Sequence, residues 1–387
     1  MTKRCIYCDC QKEVSHFSFE HIWPDGLGGG YLSSLWQTKD ACRSCNNMAG
    51  VFVDGAFIKS VAGSIERATD ALSYLSPEKP QGILPLCYLG VVQNVDAAEG
   101  EVIDYWLCHG AIVLHLRAAG EQIWDAYAGG DPRRGSKRSR AGRVLISFTS
   151  AEPYWICVAL GSIKAHFSKA ERYVTNLELP KNSTVFRELD PNNEAHKDDL
   201  RIVEDFERIR ERNEGIRGQL CVALDPEGRF LAKLALGIGY NLFGQYFLET
   251  SYGKELRTAF READREKRCD LSVRGSGYWD GVPSLPSWSG GWLLTLLALS
   301  DRLALMVTTP SGRTMTVQVA DDSELLGRLG PEYQTGLTWV VVPPAQRAVG
   351  PVSCPDYLAH LTGQRRNPDL QLLDDLRGDL SLLPSVR

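Results

Sequence analysis

The sequence predicts an α+β protein: a small N-terminal module held by a metal ion, followed by a larger mixed α/β region. Three observations carry this expectation. Cysteines pair as Cys5-x2-Cys8 and Cys42-x2-Cys45, both ahead of Ile58. From about 83 to 190, short apolar runs alternate with turns rich in Pro, Gly and Asp, the pattern of strands. After 196, helical spacing gives way to strand-like runs again. The expected domains are 1–58, 59–195 and 196–387.

A segment as short as 1–58 buries too little to stand without help, so its cysteines are expected to carry a metal. Residues 61–75 place Val61, Ile65, Ala68 and Leu72 at helical spacing. In the middle region the candidate strands are Leu84–Val92, Val102–Leu107, Ala111–Leu116, Val144–Phe148 and Tyr154–Leu160. Residues 180–196 are polar and turn-like. Residues 198–213 form an amphipathic helix with Leu200, Val203, Phe206 and Ile209 on one side. Leu220–Leu224 reads as a strand. Residues 230–264 read as helices broken near Gly237, Gly239 and Gly244. The last candidate strands are Leu293–Leu299, Arg302–Thr308, Thr314–Val319 and Leu337–Val342, and the tail beyond them gives no firm pattern.

The chain is 43% hydrophobic and 24% charged, with a net charge of -5. That balance argues against a protein that coats nucleic acid through general charge, so any such binding must come from local patches. One patch is basic: Arg133, Arg134, Lys137, Arg138, Arg140 and Arg143 stand against the single Asp131 and are candidates for gripping phosphates. The eleven cysteines do not space as a disulfide framework, which fits a reducing compartment. No apolar run is long enough for a membrane helix and no secretory pattern is present, so a cytoplasmic location without membrane contact is expected.

Zinc takes four soft ligands in a tetrahedron, and a Cys-x2-Cys turn presents two thiolates from one loop. Cys5, Cys8, Cys42 and Cys45 are therefore the expected structural zinc ligands, with Cys10 and His16 as nearby alternates. The long stretch between the pairs must hold something folded. That spacer contains Glu20-His21-Ile22-Trp23-Pro24 and Leu27-Gly28-Gly29-Gly30, and Asn46-Asn47 follows the last cysteine directly. The glycines read as the tight turn between two strands. An imidazole titrates near neutrality and can take a proton from water. Glu and Asn offer hard oxygens, which favour Mg²⁺ or Mn²⁺ over zinc.

These motifs resemble the HNH endonucleases, whose ββα-metal core is often built on a treble-clef zinc finger. The resemblance extends from the N-terminus to about Asp54, a small part of the chain. It implies that His21 is the general base, that Glu20 is a ligand of a catalytic Mg²⁺ or Mn²⁺, and that Asn46 supplies a second ligand from the first turn of a helix. The middle letter of the family pattern, an Asn that orients the base, has no counterpart here; Asp40 is the candidate in that region. Asp54 lies eight residues beyond Asn46, about 80° round a regular helix, and is a candidate ligand or outer contact.

The expected function is metal-dependent hydrolysis of DNA phosphodiester bonds, in a restriction or anti-phage defence setting that family analogy suggests. A module this small has little surface for specificity. The remaining chain is expected to recognise DNA, a partner protein or a small nucleotide regulator, with a homo-oligomer as one arrangement. Two other readings are a zinc module that binds nucleic acid without cutting it, and an effector nuclease switched on by a nucleotide second messenger.

Overall fold

The computed structural model describes residues 1–75, 84–121, 141–175, 189–212, 214–220, 225–269, 275–276, 285–379 and 381. The chain begins with a short hairpin, β1 (Thr2–Arg4) against β2 (Gln11–Glu13), whose connection is the first cysteine knuckle. A second hairpin pairs β3 (Phe17–His21) with β4 (Gln37–Cys42), with a bulge between Ser18 and Glu20. The two strands are not joined by a tight turn at the glycines, as the sequence suggested. Three 3-10 turns, Asp25–Leu27, Gly29–Tyr31 and Ser34–Trp36, make a long loop. Gly28 takes φ 88 there, and a Cβ on Gly29 would sit 1.8 Å from the Trp23 carbonyl oxygen. Glycine is thus required for the path of the loop.

Helix α1 (Arg43–Ala49) starts at the second knuckle and runs through a π-helical turn, Gly50–Asp54, into α2 (Gly55–Lys59). The expected helix over 61–75 is α3 (Val61–Ser73).

The middle segment contains β5 (Cys87–Val92), β6 (Glu101–Cys108), β7 (Ala111–Ala118), β8 (Arg143–Phe148), α4 (Pro153–His166), β9 (Arg172–Thr175), α5 (Glu194–Glu211) and β10 (Gly218–Gln219). The strands form one sheet in the order β10-β5-β6-β7-β8-β9, antiparallel except for the β8–β9 pair. Side chains alternate across it. Trp106, Val113 and Ile146 face one way and pack with Ala159, Ile163 and Phe167. Ile103, Leu114 and Leu145 face the other way and pack with Ile202 and Phe206 of α5. The expected strand Tyr154–Leu160 is instead the body of α4. Pro153 at its first turn favours a helix start, and Trp155, Val158, Ala159, Ser162 and Ile163 are buried at helical spacing. Of Leu220–Leu224, only Leu220 lies within the described residues.

The C-terminal segment opens with α6 (Asp225–Phe243), α7 (Gln245–Glu249), α8 (Ser251–Arg261) and α9 (Arg265–Cys269). The expected break comes only at Gly244, which takes φ 71, while α6 runs on through Gly237 and Gly239. A second six-stranded sheet follows, in the order β11-β14-β13-β12-β15-β16. Its strands are β11 (Gly275–Ser276), β12 (Trp292–Ala298), β13 (Leu303–Thr308), β14 (Thr314–Ala320), β15 (Leu337–Val342) and β16 (Arg347–Ser353), all antiparallel. On one face, Leu293, Val340 and Val352 pack with Tyr357, Leu370 and Leu373 from two C-terminal helices, α10 (Cys354–Leu361) and α11 (Pro368–Asp374). The tail gave no firm pattern in sequence because these helices are short and capped by Ser353 and Asn367 rather than marked by long periodicity.

The chain divides into two compact units. One comprises Met1–Ile58, Thr69–Tyr74 and Leu224–Gly378; the other comprises Lys59–Ala68, Leu75–Ala223 and Asp379–Arg387. The division after the middle segment falls at 223 and 224 rather than at 195 and 196, because α5 packs on the middle sheet and β10 adds its edge strand. The N-terminal residues do not form a unit of their own but share one with the C-terminal segment. Trp23 meets Trp292 at 5.4 Å and Trp36 meets Trp339 at 5.3 Å, so the loop between β3 and β4 lies on the second sheet. No single helix among the described residues is long and apolar enough to cross a membrane.

Candidate active site

The four knuckle sulfurs come together as the sequence predicts. The Sγ atoms of Cys5, Cys8, Cys42 and Cys45 all lie within 4.8 Å of one another, and all four residues are buried. A tetrahedron with zinc–sulfur bonds of about 2.3 Å requires sulfurs about 3.8 Å apart. Cys8 and Cys42 stand 3.9 Å apart. The cluster therefore fits a structural zinc. Without a cation the thiols must share protons: hydrogen bonding with Cys45 draws Cys5 down to about 4, and the same contact pushes Cys45 well up. The Cys42 backbone N–H donates to Cys5 Sγ at 3.2 Å, and Lys12 Nζ donates to Cys42 Sγ at 3.1 Å. Both contacts favour thiolates. The alternates drop out, since Cys10 is exposed with its thiol on the Cys8 carbonyl, and neither it nor His16 joins the cluster.

The cluster ties the start of α1 to the end of β4, which sets Asn46 beside β3. Asn46 Nδ2 donates to the Phe19 carbonyl at 2.8 Å and to Ser18 Oγ at 3.0 Å. Its Oδ1 takes no hydrogen bond from the described residues. His21 ends β3, half-buried, with its ring edge-on to Phe19 at 4.9 Å. Neither ring nitrogen has a hydrogen-bond partner among the described residues. Gly30 lies beside it: a Cβ there would be 3.9 Å from His21 Nε2 and 2.8 Å from Asp25 Oδ1. Glycine at position 30 thus places no side chain of its own beside the imidazole.

Asp40 does not orient His21. The residue paired across from His21 is Gln37, and the Asp40 carboxylate instead makes an ion pair with Lys3. Its backbone carbonyl accepts from Ile6 N–H at 2.9 Å. The bulge in β3 offsets the register, which spacing alone does not reveal. Gln37 is the residue missed in sequence: Nε2 donates to the Leu32 carbonyl at 3.1 Å and to the Gly29 carbonyl at 3.4 Å, holding the loop that carries Gly30.

Glu20 and Asp54 meet one cation, but it belongs to the protein. Lys233 of α6 places Nζ 2.9 Å from Glu20 Oε1, 2.7 Å from Asp54 Oδ2 and 3.0 Å from the His21 carbonyl oxygen. Lys233 is fully buried and the Glu20 side chain is 3% exposed. Burial opposes charge on Lys233, yet the Asp54 and Glu20 carboxylates outweigh it and raise its pKa. Burial pushes Asp54 up to about 6 against the pull of Lys233. The Tyr7 hydroxyl, raised well above its ordinary pKa by burial and then by Glu20, donates to Glu20 Oε1 at 3.2 Å. Both of these partners use the same Glu20 oxygen, so Oε2 carries no hydrogen bond to the described residues. Asp54, by contrast, has Oδ2 on Lys233 and a buried Oδ1 with no hydrogen-bond partner among the described residues. Asp54 is therefore a counter-ion of Lys233. The π turn at Gly50–Asp54 changes the angle that a regular helix would give. A signal for Lys233 did exist: it is the lone charge in the apolar run Phe230-Leu-Ala-Lys-Leu-Ala-Leu.

Of the basic loop, Arg133, Arg134, Lys137, Arg138 and Arg140 lie outside the described residues. Arg143 is described, and it is not free for phosphate. Its guanidinium is held by Glu101 at 2.6 Å and by the buried Asp199 at 2.7 Å. His115 and His109 are packing residues: His115 Nε2 meets the Ala141 carbonyl at 2.8 Å, and His109 lies on Trp155 at 4.3 Å.

Residues 5–62 match the family model of the HNH endonucleases. No curated protein and no solved structure matches the chain. The matched segment coincides with the sulfur cluster, β3, β4 and α1. The N-terminal residues thus carry an HNH endonuclease domain with a cysteine cluster suited to structural zinc, which points to a nuclease.

Proposed function

We propose that the chain is a metal-dependent HNH endonuclease that hydrolyses DNA phosphodiester bonds. The carrying observation is the sulfur cluster that fixes α1 against β3, bonding Asn46 to the strand that ends in His21. His21 is the general base: Gly30 places no side chain of its own beside the imidazole that takes a proton from the attacking water. Glu20 Oε2 and Asn46 Oδ1 are the oxygens left to hold Mg²⁺ or Mn²⁺, both hard donors. When bound, such an ion neutralises charge on the phosphoryl oxygens and the leaving group. Tyr7 and Lys233 hold the Glu20 carboxylate through Oε1. A restriction or anti-phage role, with the remaining chain selecting the target or triggering the cut, belongs to the same reading.

A supercoiled-plasmid assay with Mg²⁺ or Mn²⁺ tests it. The wild type should nick, and His21→Ala should lose at least about 100-fold in rate, the lower range of general-base catalysis, with zinc content unchanged. Retained DNA binding with no nicking under either metal would make the domain a binding module instead.

A further inference from the structure

The family match ends at residue 62, yet one side of α6 is built into the same site. Phe230, Lys233, Gly237 and Asn241 recur at three- and four-residue steps and so line one face of that helix. Phe230 stacks on Phe57 at 4.1 Å with rings 6° from parallel. A Cβ on Gly237 would come within 2.7 Å of Ile22, the residue after His21, so the helix backbone rests directly on the site loop. Asn241 Nδ2 donates to the carbonyls of Leu35 at 2.9 Å and Gln37 at 2.8 Å. Lys233 sits in the middle of this face, and its three acceptors are the Glu20 carboxylate, Asp54 and the backbone carbonyl of His21.

We propose that Lys233 is a positioning residue of the nuclease site, supplied from outside the segment that carries the family motif. Its ammonium has three protons, and each finds one acceptor. By binding the His21 carbonyl it fixes the backbone that carries the base. By binding Glu20 Oε1 it leaves Oε2 as the oxygen available to a divalent ion. Asp54 supplies the second negative charge that keeps a fully buried amine protonated. Lys233 touches no reacting atom; it acts through the two residues that do. This inference rests on the nuclease reading for its catalytic part only, since the hold on His21 is a matter of geometry.

The test uses the full chain as wild type, Lys233→Met and the double variant Asp54→Asn/Lys233→Met. The wild-type cluster has one cation and two carboxylates, and the double variant has one carboxylate. The net buried charge is therefore the same, and the double variant removes the amine without adding to the one uncompensated carboxylate. Zinc content, the His21 ring resonances in histidine-labelled protein, and kcat and KM for duplex cleavage are measured, with His21→Gln assigning the resonances among the seven histidines. Both variants should keep zinc, shift the His21 resonances and lose about 100-fold in kcat, the cost of a misplacement near 1 Å, with KM within about threefold. If Lys233→Met alone fails to fold, the double variant carries the test.

A double variant that also fails to fold makes Lys233 a strut and overturns the proposal. So do unmoved His21 resonances, or moved resonances without a fall in kcat. If the wild type cuts no DNA, the nuclease reading fails by itself, and the resonances still decide whether Lys233 holds His21.

Discussion

Replacing Asp54 by Asn should stabilise the protein at neutral pH. Lys233 balances one of its two buried carboxylates, leaving one uncompensated negative charge. Asp54 bears that cost: its pKa rises from 3.8 to about 6, with burial outweighing the ion pair. A carboxyl raised on folding favours the folded state when protonated. Its contribution is fully present below the unfolded value of 3.8 and is lost as pH rises through about 6. A shift of about two units corresponds to about 3 kcal/mol above pH 7. Asn mimics the protonated acid at every pH. The Asp54→Asn variant should therefore exceed the wild type by up to about 3 kcal/mol above pH 7, and the two should converge near pH 4. With a urea slope of about 1–3 kcal/mol/M, the midpoint gain at pH 7.5 is on the order of 1 M. Two compact units need not unfold together, so the transition is followed through fluorescence of the tryptophans near the site. A variant less stable than wild type at pH 7.5 would overturn this account, because the ion pair would then outweigh desolvation and Asp54 would titrate low.

Three further outcomes follow from the packing. Cys45→Ser should lose zinc and unfold the N-terminal module at temperatures where the wild type persists, because a structural zinc site supplies folding free energy directly; metal analysis and circular dichroism check it. Gly237→Ala should destabilise by about 1–3 kcal/mol despite its gain in helix propensity, since the new methyl meets three Ile22 atoms at 2.7–3.0 Å, and adding Ile22→Val should recover part of the loss in a double-mutant cycle. Arg143→Ser should destabilise the middle unit by about 1.5–3 kcal/mol, because the buried Asp199 would lose one of its two arginines and keep Arg172, while the salt slope of DNA binding stays unchanged. A reduced slope with normal stability would return Arg143 to the phosphate-binding set.

The cysteine centre was legible because its chemistry is local: two Cys-x2-Cys turns present sulfurs in pairs whatever surrounds them. The same holds for Asn46, fixed next to Cys45 by one covalent step. Asp40 was misread because strand register depends on a bulge that no spacing shows. Tyr154–Leu160 was misread because a short apolar run suits a buried helix as well as a strand. Asp54 was placed by assuming a regular helix where the chain makes a π turn.

Residue order alone was enough to identify the sulfur ligands, the adjacency of Glu20 to His21, and the helical and strand-like periods that build each layer, because these depend on near neighbours in the chain. Which charges meet was left to the fold. Lys233 reaches Asp54 and the His21 carbonyl across sequence separations of 179 and 212. Such a pairing exists only once packing of α6 against Ile22 and Phe57 has excluded water, since burial is what gives a distant charge its hold.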